Sequence, residues 1–332
     1  MDIKTEQFDD VHLHAASLKG WGTVYNQISC GEARSVLSQL STARFHAFRE
    51  RIDKRVVQQG EAPRGHICFA LPVVINGMAQ VQGRDADANC MFVLQGGDEF
   101  MFHMPRSMDM LSITFQRDTF DRAVADHPQS AGIDALLKQP IIRIPAHRLA
   151  PCRQRLLELF NAVVDLPELQ AMPETVQDIE QAMLDEWVRL IIDSTIARLP
   201  RSVSSSRGYI VETCHRITMR DTAQAPSIEQ LSRRLRASRR TLQNSFQSVT
   251  ETNPVNYLRS VRLNGVRREL LETRSEELSI GDAAAKWGFL HLSYFASKYQ
   301  ELFGELPSQT RRQGGSPRLS RTAPTHTCVA VD

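Results

Sequence analysis

The chain reads as an α+β protein: a small β-barrel or jelly roll with flanking helices, followed by an all-α unit of tandem helix-turn-helix repeats. Three observations predict this. Short apolar runs broken by turn residues fill residues 45–116, and the apolar period lengthens to helical over 117–199. Residues 226–313 then repeat themselves, at an offset of 52 residues that becomes 53.

The strand region is read from Phe45–Ile52, His66–Leu71, Val73–Ile75, Met78–Gln82, Cys90–Leu94, Glu99–His103 and Met108–Phe115. Between them stand Asn76-Gly77, Gly83, Gly96-Gly97-Asp98 and Pro105, residues that supply positive φ or fix a turn. Many short strands at this spacing predict a barrel or jelly roll.

Two amphipathic helices follow. One carries the stripe Leu156, Leu157, Phe160 and Val163/Val164, the other Ile179, Met183, Trp187, Leu190 and Ile191. Helices outside a barrel must bury such stripes, either on the barrel or on a second subunit, which would make a homodimer. The serine-rich stretch from Pro200 to Arg207 reads as a boundary. Residues 1–200 are thus one sensor or dimerisation domain, 201–225 a linker and first helix region, 226–313 the repeat domain, and 314–332 a polar, disordered tail.

The repeat is the most informative feature. Ser227-Ile228 recurs as Ser279-Ile280, Leu231 falls on Ala283 and Leu235 on Trp287; beyond the turn Phe246 falls on Tyr299 and Pro254 on Pro307. Each unit opens with a serine able to cap a helix. A break follows, Arg236-Ala237-Ser238 in the first and Gly288-Phe289-Leu290 in the second, and then a second amphipathic helix. Helix, short turn, helix is the arrangement that sends its second helix into the major groove of double-stranded DNA. A helix over Pro254–Leu271 joins the units. Spaced about 34 Å apart, two reading helices would meet successive major grooves on one face of the duplex.

In the first reading helix, Ser238–Val249, the apolar Leu242, Phe246 and Val249 face inward, leaving Arg239, Arg240, Gln243, Asn244 and Gln247 outward. Arg matches guanine and Gln or Asn matches adenine, so Arg240, Gln243 and Asn244 are the base-contact candidates. The second reading helix begins near His291 and buries Phe295, Tyr299 and Phe303, which leaves His291, Ser293 and Ser297 as weaker base readers. Arg239, Arg262, Arg267, Lys286, Lys298 and Arg311, with its neighbour Arg312, are the phosphate candidates. Charge agrees: residues 226–313 hold 14 Lys/Arg against 9 Asp/Glu, whereas residues 1–225 hold 24 against 28.

The apolar share of 42% and charged share of 23% are those of a globular protein. No apolar run reaches membrane-span length and the N-terminus is polar, so a cytoplasmic location without membrane contact is expected. Six cysteines at 30, 68, 90, 152, 214 and 328 show no paired spacing and read as reduced thiols.

These residues resemble the AraC/XylS family of bacterial transcription regulators. The resemblance is carried by Ile228–Leu235, SRRTLQNSF (238–246), NPVNYLRSVRLNGVRREL (253–270), SIGDAAAKWGF (279–289) and YFASKYQELFGELPSQTRR (294–312). It implies two three-helix subdomains joined by a long helix, and effector-dependent activation, sometimes repression, of promoters, with RNA polymerase as a partner. A narrower resemblance to ethanolamine-utilisation regulators rests on Trp21, Tyr25, Gln27, Gly31 and Phe48-Arg49-Glu50. It implies a cupin-like upstream barrel that senses a small metabolite; ethanolamine with a cobalamin is one candidate.

Enzymatic alternatives find little support. His46, His66 and His103 stand singly on predicted strands, and His12-Leu13-His14 has no glutamate at metal-site spacing after it. No phosphate loop, nucleophile elbow or H-E-x-x-H occurs. No metal, cofactor or catalytic role is therefore expected. An apolar interior with a few polar groups, such as Arg49, Glu50 or Glu99, suits one small effector. The alternatives are an architectural DNA-binding protein whose first domain only dimerises, and a cupin enzyme fused to a DNA-binding module.

Overall fold

The computed structural model describes residues 2–125, 127, 132–165, 173–196, 205–224 and 226–310. Part of the predicted 200–207 boundary, the tail from 314 and both Arg311 and Arg312 lie outside the described residues.

Among the described residues twelve strands form two sheets. They are β1 (Asp2–Phe8), β2 (Val24–Gln27), β3 (Ser35–Ser41), β4 (Phe45–Ile52), β5 (Val56–Glu61), β6 (His66–Val74), β7 (Ala79–Val81), β8 (Arg84–Ala86), β9 (Cys90–Gln95), β10 (Glu99–Met104), β11 (Met108–Gln116) and β12 (Ile141–Arg143). The larger sheet runs β1-β3-β4-β11-β6-β9-β12, the smaller β2-β5-β10-β7-β8. Both keep open edges, so the predicted barrel is corrected to a two-sheet sandwich. The physical reason lies largely in strands the periodicity did not reveal: β1 and β3 extend one sheet, while β2 and the glutamine-bearing β5 build the edge of the other.

Tyr25, Phe48, Phe92, Phe100 and Phe102 are buried in the core between the sheets. The outer face of the larger sheet is covered by helices. These are α2 (Arg117–Ala125), α3 (Ile133–Leu137), α4 (Ala146–Asp165) and α5 (Pro173–Ile196), whereas the short α1 (Val11–Ser17) joins the core between the sheets through Val11 and Ala15. Leu156, Phe160 and Val163 of α4 and Met183, Trp187 and Ile191 of α5 share one core with Phe69 and Phe115 of that sheet. The Trp187 ring stacks on Phe69 at 5.6 Å between centroids. The chain's own sheet thus covers the stripes that the sequence left open to a second subunit.

The remaining helices are α6 (Ser206–Arg220), α7 (Ile228–Leu235), α8 (Arg239–Thr250), α9 (Pro254–Glu272), α10 (Ile280–Lys286) and α11 (Leu292–Phe303), closed by a 3-10 turn over Pro307–Gln309. Of these, α6, α8 and α9 pack against the smaller sheet. Ile28, Val57 and Met101 of the sandwich share a core with Val211, Leu242, Phe246 and Tyr257. A Cβ on Gly208 of α6 would stand 2.5 Å from Gly83 Cα, so glycine is what lets that helix lie on the turn between β7 and β8. No helix among the described residues is long and apolar enough to cross a membrane.

Candidate nucleic-acid interface

The first unit is assembled by its caps. Ser227 Oγ accepts from the Gln230 amide at 3.2 Å while Gln230 Oε1 accepts from the Ser227 amide at 2.8 Å, a reciprocal capping box. Helix α7 stops at Arg236, whose φ of 49° is left-handed. Ser238 then caps α8 by accepting from the Thr241 amide at 3.0 Å. Leu231, Leu242, Phe246 and Val249 are buried with Tyr257 and Val261 of α9. That fixes the rotation of α8, and Arg239, Arg240, Gln243, Asn244 and Gln247 are all exposed on its other side.

The second unit repeats the plan with a different turn. Ser279 caps α10, accepting from the Asp282 amide at 3.0 Å. Gly288 turns the chain at φ +75°, and a Cβ there would lie 2.9 Å from the Ala223 carbonyl. Leu263, Val266 and Leu270 of α9 pack with Ala283, Trp287, Phe289, Phe295, Tyr299 and Phe303. The fit around Trp287 is close: a Cβ on Gly265 would come within 2.2 Å of the indole. The indole N–H donates to Glu269 Oε1 at 2.9 Å.

Of the predicted contacts on α11, His291, Ser293 and Ser297 are exposed, and Lys298 is half-buried and paired with Glu301 at 2.6 Å. Lys286 is exposed and paired with Glu269 at 3.1 Å. Arg239 pairs with Glu229 across the unit. Arg262 is half-buried over the Phe289 ring at 4.9 Å; burial, helped by neighbouring Arg259, lowers its pKa.

Arg267 has to be withdrawn from the phosphate set. It is buried, with Nε 2.5 Å from Asp10 and Nη1 2.9 Å from Glu305. Burial works against its charge, but Asp10, Tyr299 and Glu305 outweigh that and raise its pKa above the ordinary arginine value. Its position among apolar residues of α9 gave no warning, because the partner carboxylate at Asp10 lies 257 residues away.

Four features were missed in the sequence. Arg233 and Arg234 are exposed in the last turn of α7, beside the reading helix. Leu290, just before α11, and Leu292 and Tyr294 in its first turn are exposed apolar side chains, at 83%, 53% and 46% exposure. Periodicity could not separate them from core, since Leu292 precedes the buried Phe295 by a helical interval. The third feature is a tie to the sandwich: Asn264 of α9 pairs with the backbone of Gln27, and Gln27 Nε2 donates to the Leu302 carbonyl of α11 at 2.8 Å. Arg55 pairs with Glu251 at the end of α8 at 2.5 Å.

The last is a buried triad. Tyr257 Oη lies 3.1 Å from His103 Nε2 and 2.9 Å from His215 Nδ1. Burial, with neighbouring positive groups, lowers His103 to about 3 and His215 to about 4. Burial also pushes the Tyr257 hydroxyl well above its usual range. The other histidines expected to stand singly are also tied to protein groups, His46 Nε2 to Gln39 at 3.2 Å and His66 Nδ1 to the Arg64 carbonyl at 2.8 Å, as is His14 Nδ1 to Ser35 at 2.8 Å. No group of three His, Cys, Asp or Glu is placed to hold a metal among the described residues.

Between the sheets lies a cavity of about 40 Å³, lined mainly by aromatic and aliphatic side chains, with Trp21, Phe48, Glu50 and Gln58 among them. Glu50 is fully buried. Its Oε2 accepts from the Tyr25 hydroxyl at 2.9 Å, whereas its Oε1 and the Trp21 Nε1 are buried without a hydrogen-bond partner. Of the other polar groups expected inside, Arg49 is turned to Asp109 at 2.7 Å and Glu99 is exposed.

A helix-turn-helix domain family matches residues 231–313. The XylDLEGF operon transcriptional activator 2 of Pseudomonas putida is 33% identical over 131 residues, which are 38% of this chain and 83% of that protein. A second XylDLEGF operon transcriptional activator from Pseudomonas putida is 41% identical over 87 residues, 26% of this chain and 27% of the relative. The chain thus spans about a quarter of that second relative's length. The AraC-like transcriptional activator CuxR aligns over 87% of this chain and 99% of its own, at 13% identity and a TM-score of 0.42.

Proposed function

Since this chain belongs to the AraC/XylS family of DNA-binding transcription regulators, we propose that it is an effector-dependent activator of an operon. The observation that carries the DNA-reading part is the face of α8. Every apolar side chain of that helix is buried, and Arg240, Gln243 and Asn244 are left exposed together. These residue types present the bidentate donors and acceptors that distinguish base pairs in the major groove. Arg239, Arg262, Lys286, Lys298 and Arg311 supply phosphate contacts, with Arg233 and Arg234 added to them. His291, Ser293 and Ser297 face the duplex from the second unit. RNA polymerase is the partner that activation requires, in keeping with relatives named as operon transcriptional activators.

The effector part rests on the cavity. Glu50 Oε1 needs a donor and Trp21 Nε1 needs an acceptor, and both residues line the cavity. A buried polar group without a partner costs about 1–3 kcal/mol, so a small ligand that satisfies both atoms gains affinity from each. Of the residues that carry the narrower likeness to ethanolamine-utilisation regulators, Trp21, Phe48 and Glu50 line this cavity and Tyr25 donates to Glu50.

The test is selection of bound duplexes from a random library with the full chain, followed by titration of the winner at several salt concentrations. A single preferred sequence is expected, with affinity falling steeply as salt rises. Enrichment of no sequence would overturn the reading.

A further inference from the structure

The two DNA-reading units are fastened to the sandwich by different means. The first shares an apolar core with it, in which Ile28, Val57 and Met101 cluster with Leu242, Phe246 and Tyr257. Among the described residues the core of the second unit, built on Leu263, Val266, Trp287, Phe295 and Tyr299, includes no sandwich side chain. Polar contacts tie that unit instead. Arg267 pairs with Asp10, Asn264 holds the backbone of Gln27, Gln27 Nε2 donates to the Leu302 carbonyl, and the Gly31 amide donates to the Glu301 carbonyl at 3.3 Å. Apolar burial is non-directional and tolerates small shifts, whereas a hydrogen bond weakens steeply once its geometry is lost. The second unit is therefore the one that a small movement in the sandwich can release.

Both sets of ties lead back to one buried carboxylate. Tyr25 Oη donates to Glu50 Oε2 at 2.9 Å, and Tyr25 stands two residues from Gln27 on β2. His14 Nε2 lies 3.3 Å from the same Oε2, with both side chains fully buried. His14 belongs to α1, whose cap is Asp10, the partner of Arg267. One route thus runs from Glu50 through β2 to Asn264 and Leu302, and another through α1 to Arg267. The second oxygen of Glu50, Oε1, is buried without a partner, and Glu50 lines the cavity between the sheets. A molecule that donates to Oε1 acts on the carboxylate at which both routes begin.

We propose that Glu50 is the latch of the second DNA-reading unit: a ligand that engages it in the cavity frees that unit from the sandwich, while the first stays docked. This rests on the effector and DNA-reading functions proposed above, and adds which unit the effector moves and through which residues. A ligand can shift that balance only by preferring one state. It does so here by turning the carboxylate toward the cavity, away from Tyr25 and His14. Glu50 acts through those two side chains, so toward the second unit it is a positioning residue.

Amide hydrogen exchange of the full chain, without ligand or DNA, tests the route. Glu50→Gln, which removes the charge that holds Tyr25 and His14, should speed exchange in α11 about tenfold and leave α8 unchanged. Tyr25→Phe, which removes only the hydroxyl joining Glu50 to β2, should act in the same direction and covers the case in which Glu50→Gln does not fold. Trp187→Phe, a change in the core on the outer face of the larger sheet, should leave the ratio between the two helices as it is.

Acceleration confined to the sandwich would overturn the inference, as would equal acceleration of α8 and α11. So would a selective effect of Trp187→Phe on α11, which would mark that helix as merely the weakest part of the fold. A thermal-shift panel with no binder would instead sink the effector reading, and a random duplex library with no enriched sequence would sink the DNA-reading function. Neither of those results alters the exchange pattern.

Discussion

Asn264 holds both backbone polar groups of Gln27 at once: the Gln27 N–H donates to Asn264 Oδ1 at 2.8 Å, and Asn264 Nδ2 donates to the Gln27 carbonyl at 2.8 Å. Gln27 ends β2, an edge strand, and the side-chain amide does for it what a neighbouring strand would do. The helix that links the two DNA-reading units is thereby registered on the sandwich. Asn264→Ala strands two buried backbone groups and should cost about 1–3 kcal/mol for each. Urea unfolding of the purified variant checks this; a loss well under 1 kcal/mol would mean water replaces the amide.

Arg240→Ala should weaken the selected duplex by about 1–3 kcal/mol and relax preference at one base pair. Arg239→Ala should weaken all sequences alike and reduce the salt slope by about one. Titrations against the selected and a scrambled duplex separate these roles. A uniform loss from Arg240→Ala would remove it from the base readers.

The Tyr257 triad predicts acid sensitivity. His103 is lowered to about 3 and His215 to about 4, so each is neutral in the folded protein near pH 5 while its unfolded counterpart takes up a proton below about 6.5. The unfolded state then binds more protons, and stability falls with falling pH between about 6.5 and 4. The slope is about 1.4 kcal/mol per pH unit for each histidine. His103 Nδ1 and His215 Nε2 have no hydrogen-bond partner that would soften the penalty. Unfolding free energies measured at pH 7 and pH 5 test this, and a flat profile would contradict it.

Gly265→Ala should destabilise the second unit. The new Cβ would come 2.2 Å from the Trp287 ring, which must move and give up its bond to Glu269. Overpacking of this kind costs about 1–3 kcal/mol. Tryptophan fluorescence and thermal unfolding report it together, and an unchanged melting curve would show that the helix shifts without strain.

A thermal-shift panel of small amines, alcohols and carboxylates should find compounds that raise the melting temperature of the full chain. Glu50→Gln, which keeps shape but replaces one acceptor by a donor, should lose that rise for ligands that donate to Glu50. At a hundredfold excess over Kd the stabilisation is about 2.7 kcal/mol. A shift identical in the variant would place the ligand elsewhere.

The sequence by itself carried the plan of the repeat domain, two helix-turn-helix units joined by a helix. Ser227 and Ser279 announce helix starts because capping is local chemistry. The burial of Leu242, Phe246 and Val249 follows from the helical period alone, and with it the exposure of Arg240, Gln243 and Asn244. Strands β4, β9, β10 and β11 were legible for the same reason, as apolar runs between turns. Tertiary structure decided everything that depends on partners far apart in the chain. It turned Arg267 from a surface cation into a buried ion pair, since only folding brings Asp10 to it. It placed Leu292 and Tyr294 in the open, because the end of a core is set by what packs there, which helical period does not encode. It left Glu50 and Trp21 facing one cavity from separate segments, and it set Asn264 against the edge of β2.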